Sequence, residues 1–91
     1  MLKQKTYKNG QKTYELKDQV MTVFFNNGLI KARGPFVDRQ MEGEWMFYKK
    51  SGELWQIGHF LHNQKHGEWI YYTKEGNVEK KAQFMNGKQK K

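Results

Sequence analysis

The stretch Glu42–Tyr48 reads EGEWMFY and returns at His66–Tyr72 as HGEWIYY, 24 residues later. A fixed period of this length indicates a repeat architecture in which each unit is one supersecondary element. The same spacing of 24 runs without a gap over residues 19–87 and joins Met21/Trp45/Trp69, Phe24/Tyr48/Tyr72, Gly28/Gly52/Gly76, Ile30/Leu54/Val78, Gly34/Gly58/Ala82 and Phe36/Phe60/Phe84.

Each unit contains two short runs that are rich in aromatic and β-branched residues, WMFY and LWQIGHFL in one unit, WIYY and VEKKAQFM in the next. Glycine stands at a turn position between the runs, in KKSG and TKEGN, and it would interrupt any helix drawn through them. The pattern predicts an all-β fold, an elongated antiparallel meander of three 24-residue β-hairpin repeats (units about 19–42, 43–66 and 67–91) after an irregular, basic N-terminal segment, residues 1–18. That segment is either a tail or an imperfect extra hairpin through TYKNGQKTYEL.

Pairing across the sheet follows from the turn positions. A turn centred on Ser51-Gly52 places Trp45 opposite Gly58, and a turn centred on Asn63-Gln64 places Trp69 opposite the same glycine. Cross-strand neighbours lie about 4.5–5.5 Å apart, so we expect Gly58 to form a slot that receives both indoles. The repeat positions Trp45, Trp69, Phe36, Phe60 and Phe84 are expected to be core, with a second ladder along Phe36, Gly43, Phe60, Gly67 and Phe84.

The composition limits the class of protein. Only 36% of the residues are hydrophobic while 15% are aromatic, so the aromatic rings must supply most of the buried surface. The chain has no cysteine, which fits a reducing cytosol, and no apolar run approaches the roughly 18–20 residues that a membrane helix needs. The N-terminus lacks the apolar segment of a signal peptide. We therefore expect a cytoplasmic protein.

The net charge of +8 is concentrated at the two ends of the chain. Residues 1–18 carry five lysines against Glu15 and Asp18, giving +3, and residues 79–91 carry five lysines against Glu79, giving +4. The middle of the chain is nearly neutral. The basic ends are either a binding site for anionic lipid or nucleic acid, or lysines that keep the edges of the sheet soluble.

No constellation of catalytic residues is found. His62 and His66 flank one predicted turn and could approach each other, but no cysteine or nearby carboxylate pair completes a zinc site. The sequence contains no Walker loop and no Gly-x-Gly-x-x-Gly motif. We expect a protein that is not an enzyme and that has no metal and no cofactor.

One face of the predicted sheet carries an apolar cluster in the central unit alone. Trp55, Ile57 and Leu61 stand where the flanking units carry Lys31, Arg33, Glu79 and Lys81, and Tyr48 and Tyr72 lie beside the cluster. We expect these five residues to bind a protein partner, with Trp55 as the anchor. The alternatives are a second copy of the chain, or cover by residues 1–18 through Leu2, Tyr7, Tyr14 and Leu16.

The repeated motifs resemble MORN repeats, and among them bacterial MORN-variant proteins of the YwqK-like antitoxin family. The pattern Gly-x-Trp-x-x-Tyr, then Asn-Gly-x-Leu, then Gly-x-Phe-x-Asn-Gly-Lys is matched by Gly43, Trp45, Tyr48, Gly52, Leu54, Gly58 and Phe60, and again by Gly67, Trp69, Tyr72, Gly76, Val78, Phe84, Asn86 and Gly87. Met21, Ala82 and the segment 35–38 depart from it. The resemblance implies a scaffold for protein or membrane contacts, and the antitoxin family implies a toxin as partner.

Overall fold

The computed structural model describes residues 6–90. This part of the chain forms one antiparallel sheet and contains no helix. The all-β meander of hairpin repeats is thus confirmed. Its strands are β1 (Tyr14–Lys17), β2 (Val20–Phe24), β3 (Ile30–Val37), β4 (Gln40–Met41), β5 (Gly43–Tyr48), β6 (Leu54–Leu61), β7 (Gln64–Lys65), β8 (Gly67–Tyr72), β9 (Val78–Met85) and β10 (Lys88–Lys90).

The strands follow the chain order across the sheet, β1-β2-β3-β5-β6-β8-β9-β10, and the short strands β4 and β7 pair with β3 and β6. The described residues span 42 × 34 × 19 Å, which are the dimensions of a broad, thin slab. No second layer covers either face of the sheet in residues 6–90. The large side chains must therefore find their burial against the sheet itself.

The turns at one end of the sheet are identical in every unit. In the second unit the amide of Lys49 donates to the carbonyl of Glu53 at 2.8 Å, and the glycine that follows has a positive φ. Residues 7–11 form the same turn, since the amide of Tyr7 donates to the carbonyl of Gln11 at 2.7 Å. This N-terminal turn stands 18 residues before the next, instead of 24, because the strands that follow it are shorter.

The turns at the other end are two-residue turns in which both residues have a positive φ, as at His62-Asn63. Such turns match the right-handed twist of a hairpin. The turn predicted at Asn63-Gln64 was wrong by one residue, so Phe60 pairs with Lys65 and Phe36 with Met41. The predicted second ladder placed Phe36 opposite Gly43 and Phe60 opposite Gly67. These two pairs do not form, so that part of the ladder is wrong.

Beyond this turn the pairing of the two strands shifts by two residues, and the register then agrees with the predicted one. Past the offset, Ile57 pairs with Ile70 as the period requires. Gly43 and Gly67 lie at the offsets with φ of 65° and 80°, a conformation that glycine adopts without strain. Both nevertheless pair as predicted with Phe60 and Phe84 on the strand that follows.

The two central indoles lie flat on glycines, but each covers the strand before its own. Trp45 pairs with Gly58 in the register, yet its ring lies over Gly34, where a built Cβ would collide with it. The ring of Trp69 covers Gly58 in the same way. Gly58 therefore receives one indole, and the prediction that it receives two is wrong.

A hydrogen bond fixes each ring in this position. The indole Nε1 of Trp45 donates to the carbonyl of Pro35 at 2.8 Å, and that of Trp69 donates to the carbonyl of His59 at 3.0 Å. Each acceptor follows the covered glycine by one residue. The two bonds thus repeat the same tie between neighbouring units, and they satisfy the only polar atom of each buried ring.

The predicted core is confirmed for the tryptophans and differs for the phenylalanines. Trp45 is 2% exposed and Trp69 is 1% exposed, and they are the largest fully buried side chains described. Phe36, Phe60 and Phe84 are only half-buried. They pack against the edges of the indoles, as with Phe60 and Trp69, whose ring centroids are 5.2 Å apart at an interplanar angle of 84°.

Replacing Gly58 by Ala should destabilise the sheet. The new methyl group would occupy the space of the Trp69 ring, and overpacking of this kind costs about 1–3 kcal/mol. The free energy of unfolding from urea denaturation would measure the loss.

The equivalent residue of the last unit offers a matched control. Ala82 stands at the repeat position of Gly58, and no indole covers it in the described residues, so Ala82→Gly should change stability by no more than the ~0.5–1 kcal/mol of a strand glycine. In a Trp69→Met background the cost of Gly58→Ala should shrink. An undiminished cost in that background would show that the ring is not what excludes a Cβ.

Candidate functional site

Trp55 occupies a β-bulge. Phe47 pairs with Gln56 and the next residue, Tyr48, pairs with Leu54, which leaves Trp55 without a partner on β5. The same bulge occurs in β3, where Lys31 has no pairing partner on β2, and in β9, where Glu79 has no pairing partner on β8. A bulge bends its strand and redirects a side chain, and such features often lie beside functional sites. The structure thus presents three equivalent bulge positions, of which only the central one is apolar.

Four of the five residues predicted to bind a partner lie together. Trp55 is 44% exposed, and Tyr48, Ile57 and Tyr72 are half-buried. Gln56 pairs with Tyr71, which places Tyr72 beside Trp55 across the strands. We call the surface formed by Tyr48, Trp55, Ile57 and Tyr72 the Trp55 face.

Leu61 does not join this group. It is 41% exposed but lies six residues further along β6, which corresponds to about 20 Å at the rise of an extended strand. Met46 and Ile70 instead extend the Trp55 face, because both pair with Ile57.

In the described part of the N-terminal segment, Tyr14 packs on the face of the sheet that carries the indoles. Tyr14 contacts the buried cluster of Met21, Ala32 and Trp45, and the hydroxyl of Tyr7 donates to the carbonyl of Phe24 at 2.7 Å. The predicted cover by Leu2 lies outside the described residues. For the described residues, a second copy of the chain or a different partner is left to cover the Trp55 face.

Lysines surround one corner of the Trp55 face. A cleft of about 490 Å³ is lined by Phe25, Phe47, Tyr48, Trp55, Lys31, Lys49 and Lys50. The turn that carries Lys50 is held by Asn27, whose Nδ2 donates to the Lys50 carbonyl at 3.1 Å. None of the described side chains that line the cleft is a carboxylate. A partner that enters here meets aromatic rings beside positive charge.

The histidines do not form a metal site in the described part of the chain, where no group of three or more potential ligands is found. His62 contacts a carboxylate rather than His66: its Nδ1 lies 2.9 Å from Oε2 of Glu42, and its backbone amide donates to Oε1 at 3.0 Å. The hydrogen bond from the His62 backbone amide, aided by the imidazole of His62, lowers the pKa of Glu42 below its usual 4.5. Burial has the opposite but smaller effect on this pKa. This contact links the turn at residues 62–63 to the junction of β4 and β5.

An apolar groove that sequence reasoning missed lies on the face of the sheet that carries the indoles. Its volume is about 830 Å³. The groove is lined by Tyr14, Leu16, Met21, Val23, Lys31, Ala32, Phe36, Arg39, Met41, Trp45, Phe47 and Asn63. A comparison of the units position by position contains the signal, because Met21, Val23 and Ala32 are smaller than Trp45, Phe47 and Gln56.

Residues 41–62 and 65–86 match the MORN repeat variant family. Both matches begin at a short strand, β4 or β7, and end in the two-residue turn one unit later, so the MORN period coincides with the structural one. No curated protein and no solved structure matches the chain.

MORN repeats are non-enzymatic modules with binding or scaffold roles. The matched ranges include Tyr48, Trp55, Ile57 and Tyr72, so the Trp55 face is built entirely on the two MORN-variant repeats. The unit at 19–42 lies outside the match apart from its last two residues, and it is the unit in which Met21 replaces the tryptophan. Residues 6–90 contain no helix long and apolar enough to cross a membrane.

Glu42 should make the stability of the sheet depend on pH. Because its pKa is lowered by folding, the carboxylate stabilises the native state above its usual pKa of 4.5, and this contribution is lost as the pH falls through the folded value. Glu42→Gln should therefore reduce the loss of melting temperature between neutral and strongly acidic pH. Glu75→Gln, at an exposed turn residue, is the control, and an equal effect of the two variants would contradict the assignment.

Proposed function

We propose that this protein is a non-enzymatic MORN-repeat scaffold that binds a protein partner through the Trp55 face. The observation that carries the proposal is the exposed Trp55 in a β-bulge, at a position where the flanking units place Lys31 and Glu79. A solvated position in a repeat gains nothing from a large apolar ring. Tryptophan is, by contrast, among the residues most enriched at the centres of protein interfaces.

The surroundings of Trp55 have the composition of an interface. Ile57, Met46 and Ile70 form an apolar strip across three neighbouring strands. Tyr48 and Tyr72 flank Trp55, and each offers an apolar ring with a polar hydroxyl, which suits the rim of a contact. The three lysines of the cleft add a charged margin that can steer a partner and select its orientation.

The resemblance to YwqK-like antitoxins extends the proposal to the identity of the partner, which would be a cognate toxin. Toxin and antitoxin genes are usually neighbours, so the product of the adjacent reading frame is the first protein to test. Co-expression with that product and co-purification of the complex would support this partner. A stable homodimer that buries Trp55 would instead replace it by a second copy of the chain.

Trp55→Ala should weaken partner binding by about 2 kcal/mol or more while the sheet stays folded, because Trp55 lies on the surface. Leu61→Ala should have a much smaller effect on binding, since Leu61 lies at the far end of the strand. Trp45→Ala should unfold the protein, because it removes a buried ring and leaves a cavity. Isothermal titration with the partner and circular dichroism of each variant would separate these effects.

A second candidate function is binding of anionic lipid or nucleic acid. It is favoured by the exposed lysines gathered at the β9–β10 edge, Lys80, Lys81, Lys88 and Lys90. The same lysines also protect that edge from pairing with other sheets.

Binding to anionic vesicles or to DNA through these lysines should fall steeply between about 50 and 200 mM salt. Lys88→Gln with Lys90→Gln should flatten the salt dependence, whereas Lys8→Gln, far from that edge, should leave it unchanged. Absence of binding at low salt would remove this second function.

A further inference from the structure

The groove on the indole face lies where the first unit carries smaller side chains than the later units. Ala32 stands where the later units carry Gln56 and Lys80, although the backbone repeats. Met21 and Val23 likewise replace one aromatic residue each in both later units. Three neighbouring positions on two paired strands thus carry smaller side chains than in the later units, and a groove of about 830 Å³ lies beside them.

The floor of this groove is apolar and firmly packed. Met21 is 3% exposed, Ala32 is 6% exposed and Trp45 is 2% exposed. Tyr14, Val23 and other partly buried side chains pack against these three. The volume lies within the range of about 300–1,000 Å³ that is typical of small-molecule sites. Above these three buried residues, the half-buried Val23, Phe36 and Phe47 supply the apolar surface that a ligand can contact.

The charged groups at the margin of the groove are cations. Arg39 is exposed in the two-residue turn between β3 and β4, and Lys31 is exposed in the bulge of β3. None of the described side chains that line the groove is a carboxylate. Arg39 also interrupts the repeat, because the equivalent residues are Asn63 and Gly87. The margin thus complements a negative charge.

We propose that this groove binds a small carboxylic acid with an apolar body, whose hydrocarbon part lies on Val23, Phe36 and Phe47 and whose carboxylate meets Arg39. An extended peptide fits the floor less well. Its backbone amides need partners, and the apolar floor offers none. Asn63 is already hydrogen-bonded to Met41. Its side-chain Oδ1 accepts from the backbone amide of Met41 at 2.6 Å, and its backbone amide donates to the carbonyl of Met41 at 3.0 Å. An acid with one polar end leaves no such group unpaired.

The test uses cis-parinaric acid, a fluorescent carboxylic acid with a hydrocarbon chain, and its methyl ester. The wild-type protein should bind the acid about tenfold more tightly than the ester, because a charged hydrogen bond is worth roughly this factor. Arg39→Asn installs the residue of the next unit, which suits a positive φ, and should weaken acid binding about tenfold without affecting the ester. Arg33→Gln makes the same charge change on the other face and should change neither affinity.

A second variant tests whether the hydrocarbon part of the ligand lies in the groove, by introducing a larger side chain that another unit carries at the same position. Ala32→Gln introduces the side chain of the second unit and should abolish binding of both acid and ester. If that variant does not fold, shifts of the Met21 and Val23 methyl resonances in the wild-type protein on adding the acid take its place. Equal binding of acid and ester, or binding that survives Ala32→Gln in a folded protein, would overturn the proposal. Trp55→Ala should have no effect, which keeps this test independent of the proposed protein partner.

Discussion

The flat contact between an indole ring and the glycine of the preceding strand is the interaction on which this sheet depends. A sheet without a second layer has no opposing surface against which to bury large side chains. The protein solves this by laying Trp45 and Trp69 across their neighbours, where each becomes almost fully buried. The hydrogen bond from Nε1 to the following carbonyl removes the cost of an unpaired donor and fixes the ring. The side chains of the sheet therefore also serve as its cover.

Because each ring covers the strand before it, the array has a direction, and a residue at an indole position depends on what the preceding strand offers. At the start, Met21 faces Leu16 on the shortened strand β1, where an indole would collide with a side chain instead of meeting a glycine. The ring of Trp69, which pairs with Ala82, lies over Gly58 instead, so the methyl group of Ala82 is tolerated. The departure from the repeat at position 21 is thus a consequence of the shortened strand β1 that precedes it.

The period of 24 residues was enough to predict the hairpins and the pairing of Trp45 with Gly58. It was not enough to predict which neighbouring strand each indole covers, because strand register places a Cβ between two neighbours and the side-chain rotamer then chooses one of them. The offsets after the two-residue turns were also missed. The positive φ of Gly43 and Gly67 shows that the backbone requires glycine at the offset, which their place in a ladder of aromatic residues does not reveal.

The repeat period also could not identify the candidate sites. A period describes what the units share, and the shared positions, such as the indoles and the turn glycines, are those that hold the scaffold together. Both candidate sites lie where the units differ on an unchanged backbone. Trp55 replaces a charge at a bulge, and Ala32 replaces a longer side chain above the sheet. Since the scaffold folds with either residue at such positions, its stability does not dictate the choice, and selection for binding is free to act there. The differences between units are for this reason the part of a repeat sequence from which function is best inferred.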